Sequence, residues 1–327
     1  MLKFSRQFSF VLILLMCLVA CNRESRIRVI KLGHALNAEH PVHKAMVYMA
    51  ERVKEKSNGK MRIDIYPSQQ LGTERELVEL LQIGSLGITK VSSGVIEGFV
   101  PVYKVFGLPY LFRDENQRFR VLEGAIGKQI LLSSEKYWLR GLCYYDAGSR
   151  SFYSKDKPIL QPSDLVGLKV RTMESPTAVR MIQQLGGSAT PIAWGELYTA
   201  LQQGVVDAAE NNPPSFHLSR HYEVCKYYSL DEHTSVPDVL LISTIIWNDL
   251  SPQEQQWLQE AADESAQYQK QLWKEACQLA LDEVQKNGVK VYYPDKAPFA
   301  EKVKDIYEDY RNQPELYEMI QKIRAVQ

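Results

Sequence analysis

Arg28-Val-Ile-Lys-Leu-Gly33, Met61-Arg-Ile-Asp-Ile-Tyr66 and Ile88-Thr-Lys-Val91 are the three segments on which the fold turns. Each is short and β-prone, and the first two alternate apolar with polar residues, so all three read as strands. Between the first two, Pro41 opens a helical stretch that runs to about Glu55. A proline is tolerated there because its missing N–H has no helical partner anyway. Ser57-Asn58-Gly59 stops that helix. Between the second and third strands, Thr73 and Glu76 have capping-box spacing, and Leu77, Leu80 and Leu81 recur at helical intervals up to Gly84. The order β-α-β-α-β predicts an α/β fold with a parallel or mixed sheet covered by helices.

Further along, the spacing predicts a helix over Glu115–Ser133 and a strand over Leu139–Tyr145. After Gly148 the pattern restarts with Ser151-Phe-Tyr153, a strand at Gly167–Arg171, helices at about 175–185 and 194–203, and a short strand near Val206–Glu210. That is a second α/β unit, and Asp238–Trp247 reads as a further apolar strand. Pro252 to about Asn287 reads as one helix, with Trp257, Ala261, Tyr268, Leu272 and Leu279 on one stripe. At 1.5 Å per residue it would reach about 54 Å, more than one small lobe needs. It is therefore expected to cross two lobes. Lobe I is placed at 28–148 plus about 237–276, and lobe II at 149–236 plus about 277–327.

The 327 residues carry 39 basic and 39 acidic side chains, which removes the usual electrostatic motive for binding nucleic acid. Lys3 and Arg6 precede the apolar run 8–20, which at 13 residues is short for a membrane span. Leu18-Val19-Ala20-Cys21 resembles a bacterial lipobox, which implies a lipoprotein signal peptide at 1–20, a lipid on Cys21 and a tether at 21–27. An ordinary signal peptide or an uncleaved anchor is the alternative. Cys143, Cys225 and Cys277 allow one disulfide or three buried thiols. His34, His40 and His43 cluster, and His217 and His221 stand four apart, but without HExxH or a matching Cys or Asp set no metal is expected. No nucleophile elbow, Walker A motif or distinct carboxylate dyad is present, so no catalytic residue and no cofactor are predicted.

Several motifs occur in order through the chain: Tyr66-Pro67-Ser68 with Gln70-Leu71-Gly72; Gly84-Ser85-Leu86; Gly107-Leu-Pro-Tyr-Leu-Phe112; Asp164-Leu-Val-Gly-Leu-Lys-Val-Arg171; Leu185-Gly-Gly-Ser-Ala-Thr-Pro191; and Leu201-Gln-Gln-Gly-Val-Val-Asp207 leading to Glu210-Asn211. Together they resemble the DctP-type solute-binding proteins of TRAP (tripartite ATP-independent periplasmic) transporters. The resemblance implies a two-lobed periplasmic-binding-protein-like fold with a long helix spanning both lobes. It also implies that Arg171 grips a ligand carboxylate, since a guanidinium fork can make two parallel bonds to one.

By the same resemblance Arg150 supplies a second positive charge, unless it is a hinge ion pair, and Asn211 offers an amide to a hydroxy acid, unless it is a turn residue. Trp194 presents an aromatic face to the ligand or belongs to a helix-start core. His34, Glu74 and Ser93 sit at loops facing the cleft, where each could meet a ligand hydroxyl, although Glu74 also suits a helix N-terminus. The loop His34-Ala-Leu-Asn-Ala-Glu-His-Pro-Val-His43 looks more like binders of sugar acids, such as uronates, than of C4-dicarboxylates or sialic acid. The expectation is a monomeric, extracytoplasmic, lipid-anchored protein that captures an organic acid, delivers it to TRAP permease subunits in the membrane and catalyses nothing. The alternatives are a membrane-anchored carbohydrate-active enzyme and a ligand-sensing module for a receptor kinase.

Overall fold

A computed structural model describes residues 27–327, so the predicted signal segment, Cys21 and the tether up to residue 26 lie outside the described residues. The strands are β1 Arg28–Gly33, β2 Met61–Tyr66, β3 Ile88–Ser92, β4 Leu139–Tyr145, β5 Arg150–Ser154, β6 Lys169–Thr172, β7 Ser188–Pro191, β8 Ala208–Asn211, β9 Tyr227–Thr234, β10 Asp238–Ser243 and β11 Lys290–Tyr292. They form a five-stranded sheet ordered β2-β1-β3-β10-β4 and a six-stranded sheet ordered β11-β9-β5-β8-β6-β7. In the first sheet β1 pairs parallel with both β2 and β3, while β10 runs antiparallel between β3 and β4. The sheet is therefore mixed, and the ends of β1 and β3 and the start of β10 share one edge. This edge is where a mostly parallel α/β sheet places its ligand crevice.

The local reasons match the sequence in the first unit. The helix Pro41–Lys56 starts after His40, whose Nδ1 accepts from the Val42 N–H at 3.3 Å. The helix Glu74–Gln82 carries the full capping box: Thr73 Oγ1 accepts from Glu76 N at 3.3 Å and Glu76 Oε2 accepts from Thr73 N at 2.7 Å. The expected single helix over 115–133 is instead two, Glu115–Glu123 and Ala125–Ser133. Gly124 breaks it with extended backbone, and a Cβ there would lie 2.4 Å from the Arg120 carbonyl oxygen. The expected strand 238–247 ends at Ser243 and continues as the helix Thr244–Asp249.

The helix Pro252–Lys286 is continuous, capped by Ser251 and Glu254. Its buried stripe is Leu258, Ala261, Ala262, Ser265, Gln269, Trp273, Ala280 and Val284. Of the predicted stripe only Ala261 is fully buried, and Leu279 is 58% exposed. Leu258, Ala262 and Trp273 pack into the core beside the first sheet, while Val284 packs into the core of the second. The helix thus spans both lobes. Midway it grips the chain where it crosses between sheets. Gln269 accepts from Asp146 N and donates to Asp146 O, both at 2.8 Å, and Ser265 Oγ lies 2.8 Å from the Tyr145 hydroxyl. A second crossing runs through 235–237, and Arg118 ties the two together by reaching Asp146 Oδ1 at 3.0 Å and Ser235 Oγ at 3.4 Å.

The end of the chain divides between the halves. Phe299, on the helix Ala297–Val303, stacks toward Phe152 of the second sheet. The last helix, Pro314–Ala325, returns to the first-sheet half, where Gln117 Nε2 donates to the carbonyls of Ile323 and Val326. The sequence reading put all of 277–327 with lobe II. The last helix departs from it because its apolar face, Leu316, Met319, Ile320 and Ile323, joins the core that also holds Val121 and Ile130.

Candidate functional site

Between the two sheet edges lies a nearly shut cleft with free volume of about 50 Å³. Its walls include Glu74, Lys90, Ser92 and Asp238 from the first sheet and its loops, and Arg150, Arg171, Trp194 and Asn211 from the second. Ala147 and Val236, from the two crossing segments, form its floor. A larger cavity, about 730 Å³, opens on the other side of those segments. Its charged side chains are largely paired, Arg118 with Asp146 and Lys296 with Glu232 among them, and Lys274, which has no ion pair among the described residues, is exposed, unlike the cation in the cleft.

That cation is Arg171. It sits at the end of β6 and is 3% exposed. Its Nε donates to the Ile192 carbonyl at 2.9 Å, and its Nη1, buried, meets no partner among the described residues. No protein acid is within ion-pair distance of it among the described residues. Burial pushes its pKa down from the usual value, the expected cost of a desolvated charge lacking a counter-ion. The Trp194 ring centroid stands 5.8 Å from the guanidinium carbon, and Trp194 in turn meets His221 edge-on. A guanidinium held at one nitrogen in a cleft has the donors to meet a carboxylate.

The cleft's other guanidinium is already engaged. Arg150 Nε and Nη2 form a two-pronged pair with the Glu210 carboxylate, the second contact at 2.8 Å, and Nη1 reaches Asn211 Oδ1 at 3.0 Å. Glu210 also faces His233, whose Nδ1 lies 2.9 Å from Asp231 Oδ2. The flanking cations hold Glu210 down to about 2 against the pull of burial, and the two acids push His233 up to about 9. Opposite them, Lys90 Nζ contacts Glu74 Oε1 at 3.1 Å and Asp238 Oδ1 at 3.2 Å.

Residues 32–313 match the family described as bacterial extracellular solute-binding protein, family 7. The chain belongs to that family. It is 40% identical over 299 residues, 91% of each chain, to the uncharacterised protein YiiZ of Salmonella typhimurium. Among solved structures it is similar to a TRAP periplasmic solute-binding protein of Xanthobacter autotrophicus with bound β-D-galacturonate, at 38% identity and TM-score 0.89 over 91% of this chain and 100% of that one. It is likewise similar to one from Chromohalobacter salexigens with bound D-glucuronate, at 34% identity, TM-score 0.89 and the same coverage. The protein is a TRAP-type solute-binding protein with the two-lobed α/β fold of those structures.

Against that family frame the predicted site residues divide. Arg171, Arg150, Asn211, Trp194 and Glu74 all line the cleft of this family-7 protein. Arg150 is there as an ion pair, and Asn211 spends its Oδ1 on Arg150 and on the Asn212 N–H, leaving its amide nitrogen as donor. His34 and Ser93 are not part of the lining. His34 is fully buried beneath the loop with both ring nitrogens engaged, Nδ1 accepting from Leu36 N and Nε2 3.0 Å from His43. His40 and Ser92 take the places expected of His34 and Ser93. The helix-start geometry explains the second exchange, because Ser92 caps the turn that swings Ser93 inward. Lys90, Asp238, Asn212, Ser215 and Met173 also line the cleft and were not foreseen. A lysine inside the apolar run of β3 and an aspartate opening the apolar run of β10 were the available signals. Cys143, Cys225 and Cys277 are free thiols, and no helix among the described residues is long and apolar enough to cross a membrane.

Proposed function

We propose that this solute-binding protein captures a sugar acid, a uronate by preference, with the solute carboxylate on Arg171. The observation that carries the reading is the buried Arg171 fork with its unpartnered Nη1 in the interlobe cleft. Around it stand hydroxyl partners, the carboxylates of Glu74 and Asp238 and the amide of Asn211, and the indole face of Trp194 for the C–H side of a sugar. The relatives from Xanthobacter and Chromohalobacter with bound uronates support the same assignment. The protein transfers no group and makes no bond in this reading.

A cleft of about 50 Å³ has room for a few waters, so a sugar acid enters only after the lobes part. Lobe I is residues 28–148 with about 237–276, and lobe II is 149–236 with the stretch from about 277, less the last helix. The lobes pivot on the crossing segments held by Gln269 and Arg118, and each state is favoured by the contacts it alone makes. The closed monomer then docks on the TRAP permease subunits.

A thermal-unfolding panel tests the solute. Galacturonate and glucuronate at about a hundred times Kd are expected to stabilise the protein by about 2.7 kcal/mol through mass action, and succinate and sialic acid not at all. A panel in which no sugar acid moves the midpoint rejects the reading. Cys21 is the lipid attachment point, holding the binding domain at a bacterial membrane surface outside the cytoplasm. Expressed in a bacterial host, the full chain is expected to partition into detergent with a diacylglycerol-modified N-terminal peptide, and Cys21→Ser to appear in the aqueous phase. An unmodified wild-type peptide refutes the anchor.

A further inference from the structure

We infer that the first-sheet wall of the cleft is a charge filter, in which Glu74 and Asp238, gathered on Lys90, accept hydroxyl groups from one end of the solute and turn away a second carboxylate. The inference rests on the sugar-acid reading and narrows it to monoacids, excluding the diacids of the same carbon skeleton.

It begins with β3. All five of its residues, Ile88-Thr-Lys-Val-Ser92, are buried, and the Lys90 side chain is 3% exposed. An ammonium in such a strand must be paired. Two acids are brought to it by different elements. Glu74 is the first residue of the helix Glu74–Gln82, and Asp238 is the first residue of β10, paired across from Ser92. Both reach Nζ, at 3.1 and 3.2 Å. One ammonium facing two carboxylates leaves a negative charge over, and that surplus lines the cleft.

The opposite wall has the reverse imbalance. Arg150 is neutralised by Glu210, and Arg171 is the cation left over. The cleft is thus bipolar, with an acceptor-rich negative wall on the first lobe and a free guanidinium on the second. An ionised carboxylate has no proton to donate, so the first wall suits groups that donate. Sugar hydroxyls do so; a carboxylate does not. In a cleft this small, a diacid seated on Arg171 brings its far carboxylate against Glu74 and Asp238. Like charges at contact distance in a partly desolvated site lower affinity by a factor of about a hundred or more. Lys90 does not rescue the diacid, because two of its three donors already serve the two acids.

Titration calorimetry on the full folded protein tests the filter with three solutes: galacturonate, galactarate, and the monoamide of galactarate, whose second carboxyl is uncharged. Galactarate is expected to bind about a hundredfold more weakly than galacturonate, and the monoamide to recover at least about tenfold of that loss. A monoamide no better than the diacid overturns the filter. The variants Glu74→Gln and Asp238→Asn keep the shape and remove one charge each, and folded samples are expected to narrow the galacturonate-to-galactarate gap by about tenfold. An unchanged gap also overturns it. Where a variant does not fold, the monoamide comparison on the wild-type protein still decides. Tight galacturonate binding together with tight galactarate binding removes only the filter. Failure to bind galacturonate or glucuronate removes the sugar-acid reading, and the filter with it.

Discussion

Arg171→Ala is expected to abolish the thermal shift produced by galacturonate while leaving the unliganded protein at least as stable as the wild type. The two halves of that expectation come from the same atoms. Removing one partner of a desolvated, hydrogen-bonded charge pair costs about 2–5 kcal/mol of binding, a thirtyfold to several-thousandfold rise in Kd. Among the described residues the guanidinium has one hydrogen bond, to the Ile192 carbonyl, and a buried nitrogen with no partner. Its lowered pKa says that burial works against the charge. Truncation therefore trades about 1 kcal/mol of hydrogen bonding against relief of a larger desolvation penalty. Arg171→Lys keeps the charge but loses the planar fork, and should fall between the two. Calorimetry and a melt of each variant decide the matter: wild-type affinity in the alanine variant rejects the carboxylate clamp.

How much of this was readable before the structure depends on what each residue's pattern was made of. The first unit was legible because its strands and helices obey one rule each: period-two alternation in β1 and β2, and a capping box followed by leucines at helical spacing. The second unit was read less well because its strands are short and polar. β9 runs Tyr-Tyr-Ser-Leu-Asp-Glu-His-Thr, and the acids and histidine argue against a strand on propensity alone. They are there because Asp231 and His233 point to one side, toward Phe152 and Glu210, while Glu232 takes a left-handed backbone at the bulge opposite Ser151. The spanning helix failed in register for the same reason. Its buried face carries Ser265 and Gln269, which serve the crossing segment, and a count of apolar residues alone turns the stripe toward Leu279 and solvent.

At the site, motif and geometry met at Arg171, Trp194, Asn211 and Glu74, which lie at strand ends or helix starts where the topology leaves little choice of direction. His34 and Ser93 do not line the cleft, the first because a loop of ten residues does not reveal which of three histidines faces it, the second because Ser92 caps the turn that follows β3. The acid that shares Lys90 with Glu74 is Asp238, 164 residues away in sequence and brought there only through the antiparallel pairing of β10 with β3. No local pattern encodes that meeting. It exists only once the chain has crossed to the second lobe and returned.

The largest stability effect is expected at Glu210, which joins two cations that cannot do without it. Asp231, His233, Glu210 and Arg150 are all buried, and with two acids and two cations the network is neutral. Glu210→Ala leaves Arg150 without its acid in the core and His233 with Asp231 alone, a loss of about 3–5 kcal/mol. Glu210→Gln preserves the shape and should cost less. The same network sets the pH dependence. His233 has its pKa raised to about 9, so its stabilisation is complete below its ordinary value of 6.5 and is lost as pH rises through 9. Glu210, held at about 2, keeps its contribution above its ordinary value of 4.5 and loses it only as pH falls toward 2. The five other histidines have the opposite sign, His43 and His217 being lowered by their partial burial. His34 at about 2, and His40 and His221 at about 3, are buried neutral because desolvation disfavours their charged forms. The unfolded chain takes up their protons below 6.5 and the folded chain does not, so stability falls by about 1.4 kcal/mol per pH unit for each. The wild-type stability curve should therefore peak near pH 6.5, drop steeply toward pH 4 and decline gently toward pH 9. In Glu210→Gln the alkaline decline should still begin near pH 6.5 but level off at lower pH and be smaller, because His233 keeps only Asp231 as its acid partner, while the part of the acid limb set by the buried neutral histidines stays where it is. Urea denaturation at half-unit pH steps measures both limbs, and an alkaline limb identical in the two proteins rejects His233 as the group that titrates.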